Sequence, residues 1–291
     1  MTLPKGVPSI LIAVQAMALA DALVKLWVSD MSIWQIWLLR TPLVLPFLVI
    51  LARGRLLPAA SGWALVRALL LVLMYLVNYP ALALLDMGLV GAVYYVAPLF
   101  ILILSTLVLG RRIRLELWLA MATGFLGIVF IVRPFGVAFS PLYLLSVVSA
   151  LCYASAAVLT QARLQECNPA VLGFWANIGF LVAAALGLVL APHLSFEIDL
   201  PLLFAPWHPM TAADWGVIAG LALLMLVISV FAARAYQGPR PEIVATFDYA
   251  YLIFAILWGY LIFSEVPDIW ALVGIALIAA GGISALWVGR T

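Results

Sequence analysis

Charge is scarce in this chain. Of its 291 residues, 14 are Lys or Arg and 12 are Asp or Glu, 9% in all, where an ordinary soluble domain has about a quarter. Hydrophobic residues make up 68%, and the mean hydropathy is +1.25. That excludes a water-soluble globular domain, because no folded core hides so much hydrocarbon. Cysteine is scarcer still. Cys152, inside an apolar run, and Cys167, in a short loop, supply neither a disulfide framework nor metal-ligand spacing. The two histidines, His193 and His208, share one loop and are read as solvated, so no metal site is expected. No P-loop or other nucleotide-binding motif occurs, which excludes direct use of ATP, and no cofactor is expected. A formal net charge of +2 offers nothing to nucleic acid.

What the chain has is long apolar runs, parted by short Gly, Pro or charged punctuation. They predict ten helical spans at 7–28, 33–52, 64–85, 89–109, 115–132, 141–162, 170–190, 212–235, 243–263 and 269–288. Runs of this length imply helices in a lipid bilayer rather than a β-barrel. Only residues 191–211 form a long connection, a proline-rich loop with one interfacial turn. The first run contains "AMALADALVK", whose Ala18-Leu19-Ala20 resembles a signal-peptidase site behind the basic Lys5. The apolar run continues past it to Trp27, so a retained span is expected, carrying Asp21 and Lys25.

Basic residues set the topology, since cytoplasmic loops retain Lys and Arg. With the N-terminus inside, the cytoplasmic side receives Lys5, Arg53, Arg55, Arg67, Arg111, Arg112, Arg114, Arg163, Arg234, Arg240 and Arg290, and the outer side only Arg133. The outer loops carry acids instead: Asp30, Asp86, Glu197, Asp199, Asp214, Glu265 and Asp268. Both termini are thus expected in the cytoplasm.

Internal similarity divides the chain. "LVLGRRIRLELWLAMATGFLGIVF" follows the fourth span and "YLIFSEVPDIWALVGIALIAAGGIS" contains the end of the ninth. Each places a small residue seven positions before a glycine, Ala120 with Gly127 and Gly274 with Gly281. "AMALADALVK" in the first span corresponds to "ALCYASAAVL" in the sixth. The reading is two five-span halves, residues 1–135 and 136–291, the second including the outer loop 191–211. Because five is odd, the second half lies upside down.

These features, with the "FSEVPDIWALVGIALIAAGG" ending, resemble the drug/metabolite transporter superfamily in its ten-span (EamA-type) exporter branch. Asp21-x-x-x-Lys25 and Arg40 in "WQIWLLRTP" are similar to members that include carriers related to those of S-adenosylmethionine. The resemblance implies an all-α integral membrane fold of ten transmembrane helices in two inverted repeats. It implies a transporter rather than an enzyme, working by alternating access, with aromatic amino-acid exporters as the nearest functional analogy. The chain departs from the family in carrying Arg111-Arg112 after the fourth span, where an acid is common, against Glu265 after the ninth.

Charges inside the membrane are costly and mark solute paths or structural networks. Asp21 and Arg40 lie about seven residues from the outer ends of spans one and two, roughly 10 Å deep at ~1.5 Å per residue. Lys25 follows Asp21 by one turn, the favourable acid-first spacing. Asp21, Lys25 and Arg40 read either as a substrate-binding outer gate or as a static network with Lys25 snorkelling outward. Asp248, in "IVATFDYAYLIF", is the other membrane acid, with Arg234 as its expected partner in an inner gate or a static ion pair. Its repeat counterpart is Tyr94-Tyr95. In the spans that line the pore of the family fold, Tyr75, Tyr79, Tyr94, Tyr95, Tyr153, Phe247, Tyr249 and Tyr251 are candidates for substrate contact, against a lipid-facing alternative. Asn78 joins them as a mid-membrane amide. Pro42, Pro46, Pro80 and Pro98 are candidate hinges, and Pro98 stands opposite Tyr251, so that one broken span faces a straighter counterpart.

The sequence therefore predicts a secondary transporter in a bacterial-type inner membrane. It would export small amphipathic metabolites, amino acids first and aromatic or large neutral ones among them. Proton coupling through Asp21 or Asp248 and simple facilitated diffusion are both compatible, as are a monomer and a homodimer. The rival readings are uptake or exchange of a charged metabolite such as S-adenosylmethionine and, remotely, an integral-membrane lipid enzyme, for which no catalytic cluster is present.

Overall fold

The computed structural model describes residues 6–27, 31–58, 61–85, 87–133, 140–193, 201–238 and 240–288. Lys5, Asp30, Asp86, Glu197, Asp199 and Arg290 of the topology argument, and the side chain of Tyr79, lie outside the described residues.

All regular structure among the described residues is helical, and ten segments are long and apolar enough to cross a membrane. Eight of the ten segments are single helices: α1 (Val7–Trp27), α2 (Ile33–Leu51), α3 (Ser61–Leu84), α6 (Leu115–Val132), α7 (Tyr143–Arg163), α8 (Pro169–Leu190), α10 (Ala212–Tyr236) and the last, α13 (Ile269–Val288). The fourth segment is instead two helices, α4 (Met87–Tyr94) and α5 (Ala97–Leu109). The ninth is α11 (Pro241–Thr246), a 3₁₀ turn Phe247–Tyr249 and α12 (Ala250–Phe263). Val7 packs with Leu117, Ile243 and Ala285, so the first and last spans begin and end on one face of the bundle, hereafter the terminal face.

Small residues decide the closest helix pair. A Cβ added to Gly127 would stand 2.6 Å from the Gly274 carbonyl oxygen, and one added to Gly281 would stand 2.7 Å from that of Ala120. Residue 127 meets 274 while 120 meets 281, so α6 and α13 cross antiparallel through the small residues singled out in the sequence. At the far end Arg133, the left-handed C-cap of α6, pairs with Asp268, which also accepts the Ala271 amide at the start of α13. That amide, and then Arg133, hold the Asp268 carboxyl below its usual range. The latch is therefore intact above about pH 4 and released as acid protonates the carboxylate.

In its described parts, residues 191–193 and 201–211, the connection before α10 carries more structure than the one turn expected. It holds a 3₁₀ turn, Ala191–His193, and a short helix, α9 (Pro201–Phe204). Trp34 donates to the Leu203 carbonyl at 2.8 Å, and the Gln35 amide brackets the His208 backbone, donating to its oxygen at 2.7 Å and accepting from its nitrogen at 2.8 Å. His208 is thus half-buried against α2, contrary to expectation, while His193 is exposed. Buried amide and indole groups need partners, and here the loop backbone supplies them.

Gly281→Leu should push α13 off α6 and cost about 1–3 kcal/mol, read as a lower Tm in detergent. Gly216→Ala, with nothing within 4 Å of the new methyl, should leave Tm unchanged or raise it slightly, since Ala is the better helix former. Equal Tm for the two variants would contradict this packing.

Candidate functional site

The two broken segments meet at mid-bundle. In the fourth, Pro98 lacks an N–H and its ring would strike the Tyr94 carbonyl, so the helix stops at Tyr94 and restarts at Ala97. The ninth contains no proline at its break, yet a 3₁₀ turn at Phe247-Asp248-Tyr249 interrupts it in the same region of the repeat. The expected pairing of one bent span with a straighter counterpart is therefore corrected: both are broken. Irregular backbone at this depth is tolerated where it is buried in protein or lines a cavity.

A cavity of about 70 Å³, room for a few waters, lies beside these breaks. Its walls carry Tyr75, Tyr94, Tyr153 and Tyr236 among apolar neighbours such as Met17 and Phe180. Tyr75 is backed edge-on by Trp37 and Phe180, at centroid distances of 5.9 and 5.5 Å. The rings continue as a column. Tyr153 contacts Tyr236 at 6.0 Å and Tyr94 at 6.2 Å, Tyr94 contacts Tyr95 at 5.8 Å, and Tyr95 contacts Tyr251 at 5.7 Å.

An acid stands at each end of that column. Asp248 is buried and accepts hydrogen bonds from Tyr153, at 3.3 and 3.4 Å, and from Tyr236. Toward the face opposite the termini, Asp21 accepts from Tyr251 at 2.6 Å. Asp21 is exposed, but it lies one turn beyond Met17 on the stripe of α1 that faces the cavity, not on the outward stripe of Pro8, Ile12 and Gln15. Its exposure is thus to an opening in the bundle. Arg40 is within electrostatic reach of both Asp21 and Tyr75.

A third charge was missed by the sequence reading. Arg67, counted there with the cytoplasmic basic residues, is 7% exposed and lines the cavity. Helix α3 begins at Ser61, six residues earlier, which puts Arg67 about 9 Å inside at ~1.5 Å per residue. Its Nε donates to Thr160 Oγ1 at 2.8 Å and its Nη1 to the Leu172 carbonyl at 3.4 Å. Thr160 in turn donates to the Ala156 carbonyl at 2.6 Å, leaving its lone pairs to the guanidinium. The available signal was a span boundary placed three residues too late.

Other candidates stand elsewhere. Lys25 bonds Glu265 at 2.9 Å and lies over the Phe263 ring, so it ties the end of α1 to the α12–α13 turn instead of pairing with Asp21. Arg234 is exposed and does not meet Asp248: Tyr236, two positions and 200° further round α10, takes that place. The ion pair nearest the expected inner gate is Arg111–Glu242 at 3.2 Å, with Glu242 buried. Phe247 packs against Gly282 of α13, and Tyr249 against Gly124 of α6. Asn78 is half-buried, with its Oδ1 lacking a hydrogen-bond partner among the described residues. Pro42 and Pro46 lie on the exposed side of α2, which stays continuous, as α3 does through Pro80.

Asp248→Ala should remove the acceptor of both tyrosine hydroxyls, leaving them only their long 3.5 Å contact with each other, and cost about 2 kcal/mol. Arg234→Ala should stay within about 0.5 kcal/mol of wild type. Thermal unfolding in detergent compares them, and an equally large loss for Arg234→Ala would return that residue to the site.

Similarity to known proteins agrees with this architecture. A solved crystal structure superposes with a TM-score of 0.79 at 19% identity, covering 99% of this chain and 98% of that one, which shows a shared fold. The chain is 29% identical over 214 residues to the pseudopaline exporter of Pseudomonas aeruginosa (strain UCBPP-PA14), covering 72% of this chain and 67% of the relative. It is 27% identical over 242 residues to the riboflavin transporter of Vibrio cholerae, covering 81% and 75%. To the S-adenosylmethionine uptake transporter of Rickettsia prowazekii it is 22% identical over 176 residues, covering 60% and 55%. None of these three is an aromatic amino-acid exporter, so the analogy drawn from sequence narrows to membrane transport. The EamA-like transporter family model matches residues 4–133 and again 140–287, and the chain is a multi-pass membrane transporter belonging to that family.

Proposed function

We propose that this chain is a secondary transporter that exports small amphipathic metabolites, amino acids or their derivatives with an aromatic or large neutral side chain foremost, across a bacterial inner membrane. The observation that carries the reading is the tyrosine-walled cavity at the point where both broken segments meet, with Asp21 reachable from one face. Aromatic walls give an amphipathic solute contact area together with hydroxyls that orient it. At the terminal face the bundle is packed: Val244, Ala245 and Tyr236 are buried and Arg111 pairs with Glu242.

Alternating access follows if the halves 1–135 and 136–291 rock about the α6–α13 contact. Opening the terminal face would break Arg111–Glu242, and closing the opposite face would bring the Lys25–Glu265 region over Asp21. Support for the two halves comes from the two stretches matched by the family model and from the antiparallel crossing. Asp21 and Asp248, each held by tyrosine hydroxyls, with Arg40 acting electrostatically on Asp21, are the candidates for proton coupling. A second reading, exchange of a cationic metabolite such as S-adenosylmethionine, is favoured by the acid at the accessible end and by the Rickettsia relative.

Counterflow in proteoliposomes tests this. Vesicles preloaded with unlabelled amino acids should take up labelled phenylalanine, methionine or threonine, and Asp21→Asn should slow exchange about tenfold or more in folded protein. Exchange of S-adenosylmethionine alone would select the second reading, and no exchange of any of them would remove both.

A further inference from the structure

Among the described residues Arg67 is the only buried cation, and neutral oxygens are all that hold it. A guanidinium presents five N–H donors in a planar fork, and the Thr160 hydroxyl and Leu172 carbonyl occupy only Nε and Nη1. No carboxylate among the described residues forms an ion pair with it, whereas Lys25, Arg111, Arg114 and Arg133 each have one. Arg67 is part of the wall of the cavity that Tyr94 and Tyr153 also line. A buried charge without a counter-ion is expensive, and a cavity beside it is where a counter-ion can arrive.

The geometry points to Arg67 as the anchor for a carboxylate on the transported molecule. Widened beyond its present 70 Å³ by the rocking that opens it, the cavity would then take organic monoanions or zwitterions whose aromatic or apolar body lies against Tyr75, Tyr94 and Tyr153. A single guanidinium balances one negative charge and matches a carboxylate bidentately. A phosphate dianion would call for a second cation that the cavity lining does not contain. Thr160 is a positioning residue: by accepting from Nε it fixes the plane of the fork. This assignment rests on the reading of the cavity as the substrate path, and it names which end of the solute is recognised.

Binding of 3-phenylpropionate and of the neutral 3-phenylpropionamide to the purified full chain, read by ligand-induced thermal stabilisation, tests it apart from transport. The acid should bind about thirtyfold more tightly than the amide, the scale of one charge-assisted contact. Arg67→Gln should bring the two within about twofold, Arg67→Lys should restore part of the preference, and Thr160→Val should weaken the acid only. Should the variants fail to fold, wild type alone decides. The acid, and not the amide, should protect Arg67 from phenylglyoxal, as read by peptide mass spectrometry. Equal affinity for acid and amide, no binding of either, a preference that survives Arg67→Gln, or equal Arg67 modification would each overturn the assignment. Binding of the acid without exchange of any solute in proteoliposomes would fell the transport reading and leave the anion site standing. Exchange without acid preference would do the reverse.

Discussion

The contact on which the rest of the site depends is the one between Asp248 and the hydroxyls of Tyr153 and Tyr236. A carboxylate within a hydrocarbon slab is tolerated only with partners, and these two come from different helices, α7 and α10. Meeting that demand draws α7, α10 and the break in the ninth segment to one point. It also turns two tyrosine rings edge-on to each other and toward the space between the helices. The cavity wall is, in this sense, the shell that a buried acid requires. The other charges obey the same constraint, Asp21 through Tyr251 and Arg67 through Thr160.

Rigidity and freedom are divided along the bundle. The α6–α13 crossing is backbone against backbone, with glycines that leave no room for a side chain, and it is latched by Arg133 and Asp268. Such a contact holds two elements together while others move. The Arg133–Asp268 and Lys25–Glu265 pairs are both exposed and add little, since an ion pair in solvent is weak, so the seam rests on the glycine contact. A carrier needs this contrast: a seam that stays and ends that exchange partners.

Much of the fold was legible in the sequence because lipid imposes a simple rule, long apolar runs for helices. The ten segments fall where composition put them, and the Ala120/Gly127 and Gly274/Gly281 spacing marks a real helix contact. The break at Pro98 was legible from its missing N–H, while the break at Phe247–Tyr249 has no residue that forbids a helix and could not be read. The site was harder. An error of two positions in register turns a side chain by 200°, which is why Tyr236 and not Arg234 meets Asp248. One turn of helix added before residue 64 moved Arg67 from the interface into the interior.

The central claim is that the tyrosine-walled cavity is a solute path reachable from each side in turn. In a background with Cys152 and Cys167 replaced by serine, Met74→Cys places one thiol on its wall. Labelling with a membrane-impermeant methanethiosulfonate in right-side-out and in inverted vesicles measures access directly. The account predicts reaction from both sides, slowed from both when a transported solute is present. A thiol that reacts from neither side, or from one side only whether or not solute is present, would contradict it.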